Sequence, residues 1–70
     1  MSQSQYILDH LKKGESITQM EALKLFGCFR LASRINELRD SGYDIETRMK
    51  RVHGKQIAEY TLKSKFLHKL

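Results

Sequence analysis

Arg30, Ser33, Arg34 and Glu37 fall within eight residues, and Arg48, Lys50, Arg51, His53 and Lys55 crowd a second stretch of eight. An arginine fork matches the O6/N7 edge of guanine, a carboxylate can accept from the cytosine amino group, and a serine hydroxyl suits either role. Clustered lysine and arginine neutralise phosphates without regard to base sequence. The first set therefore suits base edges and the second a polyanion backbone. Catalysis has no comparable support. His10, His53 and His68 stand far apart with no cysteine or carboxylate at ligand spacing, so no metal site is legible. There is no glycine-rich phosphate loop and no nucleophile with a supporting base. The chain reads as non-enzymatic, with neither metal nor cofactor.

The elements that must hold these residues can be read in order. Ser2 or Ser4 caps a first helix, whose apolar face is Tyr6, Ile7, Leu8 and Leu11 and whose last turn carries Lys12 and Lys13 before Gly14. Ser16-Ile17 is too short to assign, with a bridge of one or two residues to a later strand as one option. Thr18 and Glu21 form a capping box that starts a second helix, with Met20, Leu23, Leu25 and Phe26 as its apolar positions and Ala22 as a small contact. Gly27-Cys28-Phe29 makes the turn, with Cys28 a small buried hydrophobe and Phe29 tucked into the core or stapling the next helix. That helix runs from about Arg30 to Ser41. Leu31, Ile35 and Leu38 line its apolar side with Ala32 beside them, and Ser33, Glu37 and Asp40 lie opposite, with Arg30 adjacent and Arg34 on a flank. Arg39 falls on the apolar side, which predicts an internal pair with Asp44 or Glu21 and a structural role.

After Gly42 the period changes from 3.6 to 2. In residues 43–52, Ile45, Thr47 and Met49 alternate with Asp44, Glu46, Arg48 and Lys50; in 56–62, Ala58, Tyr60 and Leu62 alternate with Ile57, Glu59 and Thr61. Val52-His53-Gly54-Lys55 between them suits a two-residue primed turn, so the pattern predicts a β-hairpin with its cations at the tip. The predicted class is α+β: three helices followed by a C-terminal hairpin, over residues 1–62, with a basic tail at 63–70. In that tail Phe66, Leu67 and Leu70 suit either a short docking helix or a frayed end.

Seventy residues make one small domain, with a core of limited strength. Charge is segregated. Residues 1–46 carry a net −1 and residues 47–70 a net +6. A basic third on a near-neutral body is the footprint of a polyanion partner. The lone Cys28 excludes an intramolecular disulfide and fits a reducing compartment. No apolar run approaches the ~20 residues a membrane span needs, and Met-Ser-Gln-Ser-Gln-Tyr has none of the regions of a signal peptide. The expectation is a cytoplasmic protein with no membrane partner.

The block Ile17-Thr18-Gln-Met-Glu21-Ala22-Leu23, followed by Gly27-Cys-Phe-Arg30-Leu31-Ala-Ser-Arg34-Ile35-Asn-Glu-Leu38-Arg39-Asp-Ser-Gly42-Tyr43-Asp-Ile45, resembles a family of small helix-turn-helix domains common in phages and prophages. The likeness covers about residues 16–62, ending on the return strand Ala58-Glu-Tyr60-Thr-Leu62. It implies a winged helix-turn-helix that binds double-stranded DNA. Arg30, Ser33 and Arg34 carry over as base readers, and Tyr43 and Ile45 as core.

Together these readings describe a small transcriptional regulator with helix 30–41 in the major groove and the 48–55 hairpin on the backbone. Glu37 and Asp40 are discordant, since two acids would face phosphates. They leave room for two other readings. One is a winged-helix module that presents Glu37, Asp40 and the tail to a host protein. The other is an architectural or recombination accessory protein that bends DNA. The small core and apolar tail favour a homodimer.

Overall fold

The computed structural model describes residues 2–64. Its elements are α1 (Gln3–Lys12), β1 (Ile17–Thr18), α2 (Gln19–Phe26), α3 (Leu31–Asp40), β2 (Asp44–Val52) and β3 (Lys55–Ser64). Each starts or stops where a side chain gives it reason to. Ser2 caps α1, its Oγ accepting from the Gln5 N–H at 3.3 Å. Thr18 and Glu21 form the expected capping box: Thr18 Oγ1 accepts from the Glu21 N–H at 3.3 Å, and the Thr18 N–H donates to Glu21 Oε1 at 3.0 Å. Gly27 ends α2 at φ 64°, which spares a side chain the left-handed penalty. At the end of α3, Gly42 donates to the Arg39 carbonyl (3.0 Å) and Tyr43 to that of Leu38 (3.1 Å). This Schellman closure turns the chain back and lays Tyr43 against the core.

The sheet is antiparallel in the order β1-β3-β2. The two-residue β1 is a bridge one position on from Ser16-Ile17, pairing Ile17 with Tyr60 and Thr18 with Glu59. The hairpin closes through His53 at φ 52° and Gly54 at φ 79°. Two successive positive φ angles define the primed turn whose twist matches its strands. β3 continues to Ser64, two residues past the end of the alternation read from the sequence. The expected behaviour of Phe66, Leu67 and Leu70 lies outside the described residues.

Ile7, Leu8 and Leu11 of α1, Ile17, Ala22, Cys28, the α3 line Leu31–Ile35–Leu38 and Ile45 form the core, with Phe26, Tyr43, Tyr60 and Leu62 packed on its margin. Two expectations are corrected here. Met20, Leu23 and Leu25 do not pack inward; Met20 is 61% and Leu25 57% exposed. An eight-residue helix can offer only one narrow line, and Ala22 and Phe26, one turn apart, take it. Phe26 stacks on Tyr6 (6.2 Å) and meets the edge of His10 (5.8 Å). Phe29 is 79% exposed rather than tucked in or stapled. The turn sends the fully buried Cys28 inward, and its immediate neighbour then faces out.

Ile35 is fully buried at the middle of the α3 line. Ile35→Ala is expected to cost about 2–5 kcal/mol, comparable to the whole stability of a domain this size. Urea denaturation followed by circular dichroism should show a collapsed or absent folded baseline.

Candidate nucleic-acid interface

The corner between α2 and α3 decides how α3 is presented. Residue Arg30 occupies the N-cap of α3 and makes no side-chain cap bond. The open N–H of Leu31 is met instead by Gln19, whose Oε1 accepts from it at 2.8 Å. The same amide donates from Nε2 to the Cys28 carbonyl at 2.6 Å. One side chain from the first turn of α2 thus holds both sides of the corner. Gln3 adds a second tie, donating to the Gly27 carbonyl at 3.3 Å. Gln19 was not singled out from sequence. The available signal was a helix start with no Ser, Thr, Asp or Asn at its cap, which requires a partner from elsewhere.

The far end of α3 is held by Arg39. Its Nε and Nη2 donate to the Ile45 carbonyl (3.1 and 2.7 Å), Nη2 also reaches Thr47 Oγ1 (2.8 Å), and the guanidinium lies 6.0 Å from the Tyr60 ring centre. The expected structural role is present, but its partners are a backbone carbonyl and a hydroxyl rather than Asp44 or Glu21. A guanidinium has five donors and can strap a strand without a carboxylate.

Between these ties, α3 shows three surfaces. Leu31, Ile35 and Leu38 are buried. On one flank Arg34 is half-buried and its Nη2 lies 3.1 Å from Glu37 Oε2, while its Nε is shielded with no partner. The remaining face is Ala32, Ser33, Asn36, Glu37 and Asp40, all exposed except the half-buried Ser33; Arg30 is exposed at the start. The exposure of Ala32 corrects its expected place beside the apolar line. The structure therefore places Arg30, Ser33 and Glu37 on open surface, and it places Arg34 on the margin in an ion pair. Asn36, absent from the sequence reading, stands fully in the open face.

The hairpin has two chemically different sides, set by its register. Ile45, Thr47, Met49 and Arg51, with Gln56, Ala58, Tyr60 and Leu62, share the side turned to α3, as the Arg39 contacts to Thr47 and Tyr60 show. Glu46, Arg48, Lys50 and Val52, with Lys55, Ile57, Glu59 and Thr61, share the opposite side. Two of the expected backbone-contacting cations are engaged there. Arg48 Nε lies 3.4 Å from Glu46 Oε1, and Lys50 Nζ lies 3.0 Å from Glu59 Oε2. Arg51, His53 and Lys55 are exposed, with no ion pair among the described residues. A groove of about 420 Å³ lies on the opposite side, lined by Met20, Val52, Ile57 and the stems of Lys50 and Lys55.

Glu59 also accepts from Ser16 Oγ at 2.9 Å. The Lys50 ammonium first, and the Ser16 hydroxyl second, hold its carboxyl below the ordinary 4.5. A lowered folded-state value means the contact stabilises fully above that ordinary pKa and is lost as pH falls through the lowered one. Glu59→Gln is expected to lower stability at pH 7. The gap from the parent should close as urea midpoints are followed below about pH 4. A gap constant with pH would deny the carboxylate this role. Gln19→Ala, in turn, should cost about 1–3 kcal/mol at any pH, because it leaves the Leu31 N–H and the Cys28 carbonyl unmet.

Compared with known protein families, residues 2–65 match the winged helix-turn-helix domain family. No curated protein and no solved structure matches the chain. Among the described residues, no helix is long and apolar enough to cross a membrane and no cluster of His, Cys, Asp or Glu could hold a metal ion.

Proposed function

The chain belongs to the winged helix-turn-helix domain family, a DNA-binding fold, and on that premise we propose that it is a small transcriptional regulator acting on double-stranded DNA. The match that carries this reading takes in both the helix pair and the hairpin. In this proposal α3 enters the major groove with Arg30, Ser33, Arg34 and Glu37 near base edges. Residues Arg48, Lys50, Arg51, His53 and Lys55 of the hairpin lie along the phosphates. Exposure supports Arg30 as a reader and Arg51, His53 and Lys55 as backbone contacts. Arg34 would have to leave Glu37, and Lys50 would have to leave Glu59, so each contributes less than its charge implies.

A protein partner in addition to DNA is favoured by one observation. Phe29, Met20 and Leu25 are each more than half exposed. A second copy of the chain or a host protein would cover them.

The test is titration of random duplex DNA at several salt concentrations. Log affinity should fall linearly with log salt at roughly 0.9 per phosphate neutralised. Arg51→Ala should reduce that slope by about one contact, whereas Lys50→Ala should reduce it by less, since Lys50 is held by Glu59. Absence of binding at low salt would end the DNA reading and leave the protein partner.

A further inference from the structure

The polar side chains of α3 are largely committed elsewhere. Arg39 is bound to the Ile45 carbonyl and Thr47. Arg34 and Glu37 hold each other at 3.1 Å, which removes a cation and an anion from the open face together. Asp40 is exposed at the C-terminal end of the helix, where a carboxylate facing phosphates is unfavourable. Ser33 is half-buried and short. Asn36 alone in α3 combines exposure, reach, and both a donor and an acceptor, and it makes no side-chain hydrogen bond among the described residues.

Its neighbourhood is also specific. Ala32 is exposed one turn before Asn36 and so shares its line along the helix. On the helical wheel this line falls between Arg39, tied to the hairpin base, and the outermost residues Ser33 and Asp40. It is thus the hairpin side of the open face, uncharged, with a methyl and a carboxamide in sequence. A carboxamide is matched to adenine, donating to N7 and accepting from the N6 amino group, and an alanine methyl is matched to the C5-methyl of thymine. Guanine offers two acceptors on the same edge and would leave the amide oxygen facing one of them.

We propose that Asn36, with Ala32 beside it, reads an A·T base pair in the major groove and is the main source of sequence choice in α3, ahead of Arg34. This rests on the reading of α3 as the groove helix. Arg34 then serves to keep the Glu37 carboxylate neutralised on the flank. The division neutralises one of the two acids of the recognition face and leaves Asp40 at its far end.

The experiment is selection of bound duplexes from a random pool by the full chain and by Asn36→Ala, followed by affinity measurement on the parent's preferred site. The parent should select an A·T pair, and Asn36→Ala should lose discrimination there by about 5- to 150-fold while keeping the same salt dependence. A DNA-side change isolates the contact without altering the protein. Replacing the selected adenine by 7-deazaadenine removes N7 and should weaken the parent but not Asn36→Ala. Replacing the thymine by uracil removes the methyl facing Ala32 and should weaken both proteins. An unchanged selected motif in Asn36→Ala, or equal loss of both proteins on the 7-deazaadenine site, would overturn the assignment and leave DNA binding intact. Failure of the parent to bind any duplex at low salt would overturn both. Asn36 is exposed, so the variant should match the parent's circular dichroism melt.

Discussion

The rotational setting of α3 about its own axis is the constraint on which the molecule turns. A ten-residue helix with one buried line can face its partner in only one phase. Leu31, Ile35 and Leu38 define that phase by burial. Burial alone would tolerate some rolling, because apolar contact is not directional. Two directional ties remove that freedom. Gln19 grips the first N–H of the helix, and Arg39 clamps its last turn to the backbone of β2. Rolling the helix by one residue would break both ties and exchange the open face for a flank. The surface available to a ligand is therefore defined by contacts that the ligand does not touch.

The same arrangement sorts the charges. The sequence pattern gathers the cations at the hairpin tip, yet register divides them between its two sides. Arg48 and Lys50 point to the side away from α3 and meet Glu46 and Glu59, while Arg51 shares the α3 side. Exposed ion pairs of this kind stabilise little, about 0–1 kcal/mol. Their larger consequence is to cancel two of the three cations on the side away from α3, leaving Lys55 there. On α3 the Arg34–Glu37 pair acts in the same way, and it softens the discordance that two acids on a DNA-facing helix presented at the level of sequence.

Features governed by local chemistry were legible in the sequence. The capping box at Thr18, the left-handed glycines, the primed turn at His53-Gly54 and the alternation of the hairpin depend on residues a few positions apart, so spacing suffices to read them. The bridge was open in the sequence, and its place at Ile17–Thr18 is set by pairing with the distant Tyr60 and Glu59. What failed depended on tertiary room. Met20, Leu23, Leu25 and Phe29 are apolar at plausible spacing, but a two-turn helix and a tight corner have space for Ala22, Phe26 and Cys28 only. Gln19 and Arg39 find their partners across a corner and across a sheet. Nothing in their spacing names a carbonyl as the acceptor. In the candidate site, exposure of Arg30 and Glu37 followed from helical phase, whereas the capture of Arg34 by Glu37 and the openness of Asn36 became visible only with side chains in place.

The three arginines show why a sequence pattern of this sort mixes fold with function. Arg30, Arg34 and Arg39 recur at intervals of four and five along one short stretch, and by composition they are interchangeable. Arg30 precedes the first helical turn, so its side chain is free of the body. Arg34 lies where the helix meets its own flank, and its shielded Nε leaves the fork a single satisfied direction, toward Glu37. Arg39 lies over the sheet, where the Ile45 carbonyl accepts from its guanidinium and the same group sits over the Tyr60 ring. Geometry therefore leaves one arginine exposed, pairs one with a carboxylate and gives one to the fold. A motif that records only the residue types retains all three without distinguishing them. Asn36, which lies between the second and third, drops out of such a motif, although the helix leaves it exposed with no side-chain hydrogen bond among the described residues.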